Sequence, residues 1–213
     1  MVSITLTTHE KKKLQVLYPT TWDEITLGQF VMLEGKKLDA LERFSIMTGV
    51  DIEIFDNSRK KDLEDLVYSA TYFLTNPPDW KNLSVPDKIV VKGKVIKVPT
   101  DLGQETVGQS IMFKQVAVES EVLIDLIPKF LAIYLQPLIF GGKFDRTKLE
   151  ETEELLNEQP ALSMYAIANF FLIKPKLLRS IGQFAPHLLT TNLKKDMPNL
   201  QESKDLSHSE TLQ

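Results

Sequence analysis

A segment of the chain recurs eighty residues later without a gap, and this repeat constrains the fold more than any other feature of the sequence. Residues 11–33 (KKKLQVLYPTTWDEITLGQFVML) align with residues 91–113 (VKGKVIKVPTDLGQETVGQSIMF), and both contain Pro-Thr followed by Thr-x-Gly-Gln. Helix starts of this kind are common, so two of them can be alike by chance. Because the agreement extends into both the preceding strand and the following helix, we interpret it as an internal duplication.

Each copy of the repeat predicts a strand, a turn and the start of a helix. Its proline cannot continue a central strand and therefore marks the turn. Thr26 with Gln29, and Thr106 with Gln109, have the spacing of a capping box. In this motif the threonine hydroxyl accepts a hydrogen bond from the backbone amide three residues on, and the glutamine side chain accepts one from the threonine amide. We therefore expect a helix to start at each threonine.

The periodicity of apolar residues predicts an α+β fold that is mostly helical and consists of two related units, each a β-hairpin followed by three helices. The first unit spans residues 1–80 and the second spans residues 87–186, with a short proline-bearing loop between them. The second unit adds a strongly apolar helix over residues 161–173. Residues 187–213 form a polar, extended tail, because a segment with so few large apolar side chains cannot offset its own ordering entropy.

Several helix boundaries follow from the positions of glycine, serine and proline. In the first unit, Gly49 is expected to end the second helix and Ser58 to cap the third, with a turn over residues 51–55 between them. In the second unit, the apolar helical region that begins at Val122 is expected to kink or restart at Pro128.

The composition excludes several classes of site. Without any cysteine, the chain cannot form disulfides, iron–sulfur clusters or cysteine-based zinc sites. Its formal net charge of −4 provides no electrostatic reason to bind nucleic acid, which needs a concentrated basic surface.

The apolar stretch 122–142 contains Asp125, Lys129 and two prolines. We therefore interpret it as a buried helix and expect no membrane association.

The residue pattern predicts no catalytic, cofactor or metal site. The three histidines have no second ligand at metal-binding spacing, and the pair Ser207–His208 lies in the polar tail, which offers no rigid support for a nucleophile and its base. The helix over residues 161–173 is apolar on almost every side, which is typical of a core helix or of one that partly meets another chain. The residues that we expect to contact a partner are Tyr165, Phe170, Phe171, Leu193, Met197, Leu200 and Leu206.

Five short segments resemble virion and tail-region proteins of bacteriophages, especially of phages that infect Bacteroidetes. These segments are WDEITLGQF at 22–30, FSIMTGV at 44–50, TVGQ at 106–109, LAIYL at 131–135 and NFF at 169–171. The resemblance covers roughly residues 14–175. It implies a non-catalytic structural or assembly protein, such as a tail assembly chaperone, with no cofactor. Its partners would be other phage structural proteins or further copies of itself, in the host cytoplasm during assembly or in the virion.

Two other functions stay open on the sequence alone. The first is an enzyme whose active-site residues are dispersed along the chain, and a strongly perturbed acid or base in a cleft would favour it. The second is a nucleic-acid-associated protein packaged in the phage head. That function requires the basic clusters at residues 11–13, 59–61 and 174–176 to converge on one face.

Deletion of residues 190–213 is expected to leave the melting temperature of the purified protein almost unchanged, because a segment of this composition cannot sustain a core. The deletion should instead weaken association with partner proteins or incorporation into particles, since an extended segment buries its apolar side chains only against a neighbour. Thermal unfolding and co-purification of the full and truncated chains measure the two effects. A much lower melting temperature for the truncated chain would place the tail in the protein's own core.

Overall fold

Two β-hairpins, each followed by a group of helices, make up the described structure. The computed structural model describes residues 1–7, 11–34, 37–58, 60–99, 105–119 and 123–173. Within these ranges the expected α+β, mostly helical fold is confirmed, with two antiparallel two-stranded sheets. The elements are β1 (Val2–Thr7), β2 (Lys13–Tyr18), α1 (Leu27–Glu34), α2 (Ala40–Thr48), α3 (Ile52–Asp56), α4 (Lys60–Thr71), β3 (Lys88–Val91), β4 (Lys94–Lys97), α5 (Val107–Glu119), α6 (Leu123–Phe140), α7 (Leu149–Asn157) and α8 (Ala161–Ile173). Short 3-10 turns lie at Trp22–Glu24, Tyr72–Thr75 and Arg146–Lys148.

The two hairpins have the same antiparallel topology. Strands β3 and β4 are joined by Lys92 and Gly93, whose φ angles of 51° and 72° are the positive values that a two-residue turn of type I′ requires. In the first hairpin, pairing extends to Thr7 and Lys13. Each hairpin buries one face, and its inward apolar side chains include Leu6, Val16, Ile89, Val91 and Ile96.

Local capping chemistry sets the helix ends of the first unit. Asp39 forms a full capping box at the start of α2, and Gly49 ends that helix at a φ of 67°, a left-handed conformation that glycine adopts without strain. The segment 51–55, expected to be a turn, instead begins the short helix α3. Asp51 starts this helix because its side chain accepts a hydrogen bond of 3.0 Å from the backbone amide two residues on.

Ser58 closes α3. Its hydroxyl donates to the carbonyl of Ile54 at 2.9 Å, and its amide donates to the carbonyl of Phe55 at the same distance. Helix α4 is described from Lys60, and residue 59 lies outside the described residues, so the expected Ser58 cap of this helix stays a prediction.

Helix α6 lies at the centre of the described structure. It runs unbroken from Leu123 to Phe140, so it does not restart at Pro128, and it continues through Pro137 as well. It packs against α1, α5, α7, α8 and β4, and eleven of its residues are buried. Its length and apolar composition would allow it to cross a membrane, but buried core helices share both properties, and 61% of it is buried inside the protein.

One apolar core contains side chains of both predicted units. The starts of α1 and α8 are joined by two backbone hydrogen bonds of 2.8 Å, from the Leu27 amide to the Gln159 carbonyl and from the Ala161 amide to the Ile25 carbonyl. Around this junction, side chains of α1 pack with those of β3, β4, α5, α6 and α8. A second cluster, from β1, β2, α2, α3 and α4, belongs to the first unit alone. The main core therefore crosses the predicted boundary between the units.

Truncation of Leu131 to alanine is expected to lower the free energy of unfolding by about 2–5 kcal/mol, because it leaves a cavity among packed neighbours. Leu131 is 1% exposed, whereas Leu138 on the same helix is 38% exposed. The Leu138→Ala variant should therefore lose well under half as much stability. Denaturant titrations of the two variants measure the difference, and equal losses would contradict the assignment of the buried face of α6.

Candidate functional site

Both predicted capping boxes are present, with the same geometry. At the start of α1, the backbone amide of Gln29 donates to Thr26 Oγ1 at 3.3 Å. The side-chain oxygen Oε1 of Gln29 accepts from the backbone amide of Thr26 at 3.0 Å. At the start of α5, Thr106 and Gln109 form the same two hydrogen bonds at 3.3 and 3.0 Å. The repeat therefore encodes the same local structure at both positions.

Each glutamine side chain also donates to the backbone of the following helix, a role that the sequence pattern did not reveal. Gln29 Nε2 donates to the carbonyls of Ile46 at 3.3 Å and Met47 at 2.9 Å, near the end of α2, where the last carbonyls have no partner within the helix. Gln109 Nε2 donates to the carbonyl of Ile133 at 2.9 Å, in the middle of α6. The cap of one helix thus supports the backbone of the next.

The carbonyl of Ile133 needs this donor because of Pro137. In an α-helix the carbonyl of one residue accepts from the amide four residues later, and proline has no amide hydrogen. Gln109 and Ile133 are both buried, so water does not replace the missing amide. A buried polar group left without a partner costs about 1–3 kcal/mol. The side chain of Gln109 therefore compensates for a proline in the central helix.

The partner-contact candidates of α8 are largely used within the protein. Phe171 is buried, with its ring centroid 5.4 Å from that of Tyr134, so its assignment as a partner contact is wrong. Tyr165 is partly buried, with its ring centroid 4.8 Å from that of Trp80, and Phe170 packs against the main core. The remaining candidates lie outside the described residues: Leu193, Met197, Leu200 and Leu206.

Three side chains of the second unit have raised pKa values. Burial raises the pKa of Glu105, against a smaller opposing effect of the Tyr134 hydroxyl, which donates to Glu105 Oε1 at 3.4 Å. Burial, reinforced by the charge of Glu105, raises the pKa of Tyr134 well above its ordinary value. Burial also raises the pKa of Glu153, while Lys129 acts in the opposite direction. Among the described residues, no group of three or more histidine and carboxylate side chains is placed to hold a metal ion.

An open groove of about 500 Å³ lies between α2, α3 and α4 in the first unit. Phe55 and Val67 are among its apolar lining, and Asp39 and Asp56 add carboxylates. The interacting pair with raised pKa values is in the second unit and does not line this groove. The perturbed acid and this groove therefore lie apart.

Exposed apolar or aromatic side chains lie near one another on each of two helices, α5 and α4. On α5, Val107, Ile111 and Val118 are 77%, 43% and 56% exposed, and their spacing places them on one outward face. On α4, Tyr68 and Tyr72 are exposed, with ring centroids 6.4 Å apart. Aromatic side chains are enriched where proteins bind each other, and exposed apolar patches mark such sites. We call these surfaces the α5 face and the α4 tyrosine pair.

No protein-family model matches the chain, and comparisons with curated proteins and with solved structures likewise found no match. The candidate surfaces are therefore interpreted from their own chemistry.

Replacement of Gln109 by alanine is expected to lower the free energy of unfolding by about 2 kcal/mol or more, because it removes a helix cap and leaves the buried Ile133 carbonyl unpaired. The matched variant Gln29→Ala should cost less, since the hydrogen bonds of Gln29 to α2 are only partly buried, whereas that of Gln109 to Ile133 is buried. Denaturant titrations measure both losses.

The cost of Gln109→Ala should fall in a Pro137→Ala background, where residue 137 supplies the amide that the Ile133 carbonyl lacks. We expect a coupling free energy of about 1 kcal/mol in this double-mutant cycle. An equal cost in the two backgrounds would show that the glutamine does not compensate for the proline.

Proposed function

We propose that this chain is a non-catalytic bacteriophage structural or assembly protein that acts by binding other proteins. It would work in the virion, or in the host cytoplasm during assembly of the tail or particle. The resemblance of residues 14–175 to phage virion and tail-region proteins supports the phage assignment. The α5 face is the observation that carries the binding role.

The α5 face is unusual because the opposite side of the same helix is already buried. Phe113, Val116 and Ala117 pack into the main core, so α5 is apolar on both sides. Full burial of a valine or isoleucine side chain is worth about 1.5–3 kcal/mol. Covering this exposed row with another protein would therefore contribute favourable free energy to binding. A helix with such a face is what we expect in a subunit of an assembly.

The two rival functions have less support. An enzyme would need the perturbed Glu105 and Tyr134 to face a cleft, and the groove of the first unit lies elsewhere. A nucleic-acid-binding protein would need the three basic clusters to converge. The structure describes side chains only for the cluster at residues 11–13, at the start of β2.

Mass spectrometry of purified particles, and of complexes captured from infected cells, tests the proposal. Detection in particles would identify a virion component, and detection only in assembly complexes would identify an assembly factor. Absence from both, with the chain present in the cell, would contradict the proposal.

Substitution of exposed residues tests whether the α5 face contributes to partner binding. The double variant Val107→Ser with Ile111→Ser should fold normally, because both side chains are exposed, yet lose most of its co-purification with partners. Met32→Ser, at an exposed apolar position of α1, is the matched control and should retain its partners. Equal behaviour of the two variants would show that the α5 face is not the binding surface.

A further inference from the structure

The outer faces of the two hairpins differ, although β2 and β4 occupy equivalent positions of the repeat. The outer face of the first hairpin is mainly polar and bonded within itself, since Gln15 Nε2 donates to Ser3 Oγ at 2.8 Å. The second hairpin has two directly opposed pairs on its outer face. These pairs are Val90 with Val95 and Lys88 with Lys97.

The outer face of the second hairpin is exposed and has an uncompensated positive charge. Val90 and Val95 are 56% and 61% exposed, and both lysines are exposed. Like charges directly opposite on neighbouring strands destabilise a sheet. Throughout the described part of the chain, neither the Lys88 nor the Lys97 side chain has a hydrogen bond or an ion pair.

The other two lysines of this hairpin have partners. Lys92 Nζ forms an ion pair with Glu151 Oε1 at 2.7 Å, and Lys94 Nζ donates to the carbonyl of Ile139 at 3.2 Å. The unpaired lysines are therefore confined to the outer face, beside the exposed valines. A ligand that covers this face must supply both negative charge and apolar side chains.

We propose that this outer face (Lys88, Val90, Val95 and Lys97) is the docking site for residues 196–212 of a second copy of the chain. That segment has four carboxylates and a single lysine, so its charge is opposite to that of the hairpin. Apolar side chains are interspersed among its acids. The segment contains Asp196, Glu202, Asp205 and Glu210 together with Met197, Leu200, Leu206 and Leu212.

A contact between the tail of one copy and the hairpin of the next is heterologous, because two different surfaces of the same chain meet. Contacts of this type generate rings or filaments, or a dimer when two copies exchange their tails. An extended segment can also add backbone hydrogen bonds to the free edge of a two-stranded sheet. The choice of a second copy, rather than the same molecule, rests on the proposed role in assembly.

Disulfide trapping in the full chain tests this docking, because the chain has no cysteine of its own. Two single variants, Val95→Cys and Leu200→Cys, are mixed and oxidised, and we expect a disulfide-linked heterodimer. Leu17→Cys mixed with Leu200→Cys is the matched control, since Leu17 is 54% exposed on the outer face of the first hairpin. Each variant oxidised alone gives the background of chance homodimers.

The variant Lys88→Glu tests docking separately from hairpin stability. Docking should weaken, whereas the stability of the hairpin should not decrease. It replaces an opposed lysine pair with an oppositely charged pair, so the melting temperature should not fall. The loss of charge complementarity should reduce the heterodimer yield about fivefold, the scale of one exposed ion pair. Lys13→Glu, on the first hairpin, should leave the yield unchanged.

Three results would overturn the proposal. One is a heterodimer yield no higher than that of the Leu17 control. Another is a disulfide that forms only within single molecules of a Val95→Cys, Leu200→Cys double variant. The third is binding of a labelled oligonucleotide that Lys88→Glu abolishes while trapping of the tail is absent, which would assign the face to nucleic acid. All of these measurements use purified protein, so a negative result removes the docking site without deciding whether the chain enters particles.

Discussion

The buried carbonyl of Ile133 is the constraint on which the arrangement of the second unit depends. Helix α6 has to lie inside the protein because most of its surface is apolar, yet Pro137 removes one of the amides that would satisfy its backbone. A donor must therefore come from another element, and Gln109 supplies it at 2.9 Å. Because the same side chain caps α5, the start of α5 and the middle of α6 are held together by one residue, and the α5 face is left pointing outward.

The two units are joined by packing that a hairpin-plus-helices unit could not provide alone. An added Cβ at Gly28 of α1 would lie 3.3 Å from Asn157 Cβ of α7, and one at Gly108 of α5 would lie 3.1 Å from the ring of Phe144. The first glycine thus contacts the opposite unit and the second contacts its own. Gly28 and Gly108 occupy equivalent positions of the repeat, but one packs against the other unit and one packs within its own unit. The local structure is therefore repeated, whereas the packing around it is not.

Features that depend on neighbours in sequence could be predicted, whereas those that depend on distant partners could not. The capping boxes and the Gly49 terminus need only residues within one helical turn, and the apolar helix over residues 161–173 needs only composition. The second role of Gln109 depends on a carbonyl 24 residues away, which no local pattern marks. Burial of Phe171 depends on Tyr134 of another helix, so its aromatic character alone suggested a partner contact wrongly. The candidate surfaces are the exposed residues that remain once such packing is known.

The two hairpins have exposed surfaces of different character. In both hairpins the buried residues are constrained by a core, and they are apolar in both: Leu6, Val16, Ile89, Val91 and Ile96. The outward residues have no such constraint, and there one copy has the bonded pair Ser3 and Gln15 while the other has opposed lysines beside valines. An opposed lysine pair does nothing for the hairpin itself, since it is destabilising without an anion. An anionic partner would offset this repulsion, which is the physical reason for the docking that we propose at this face.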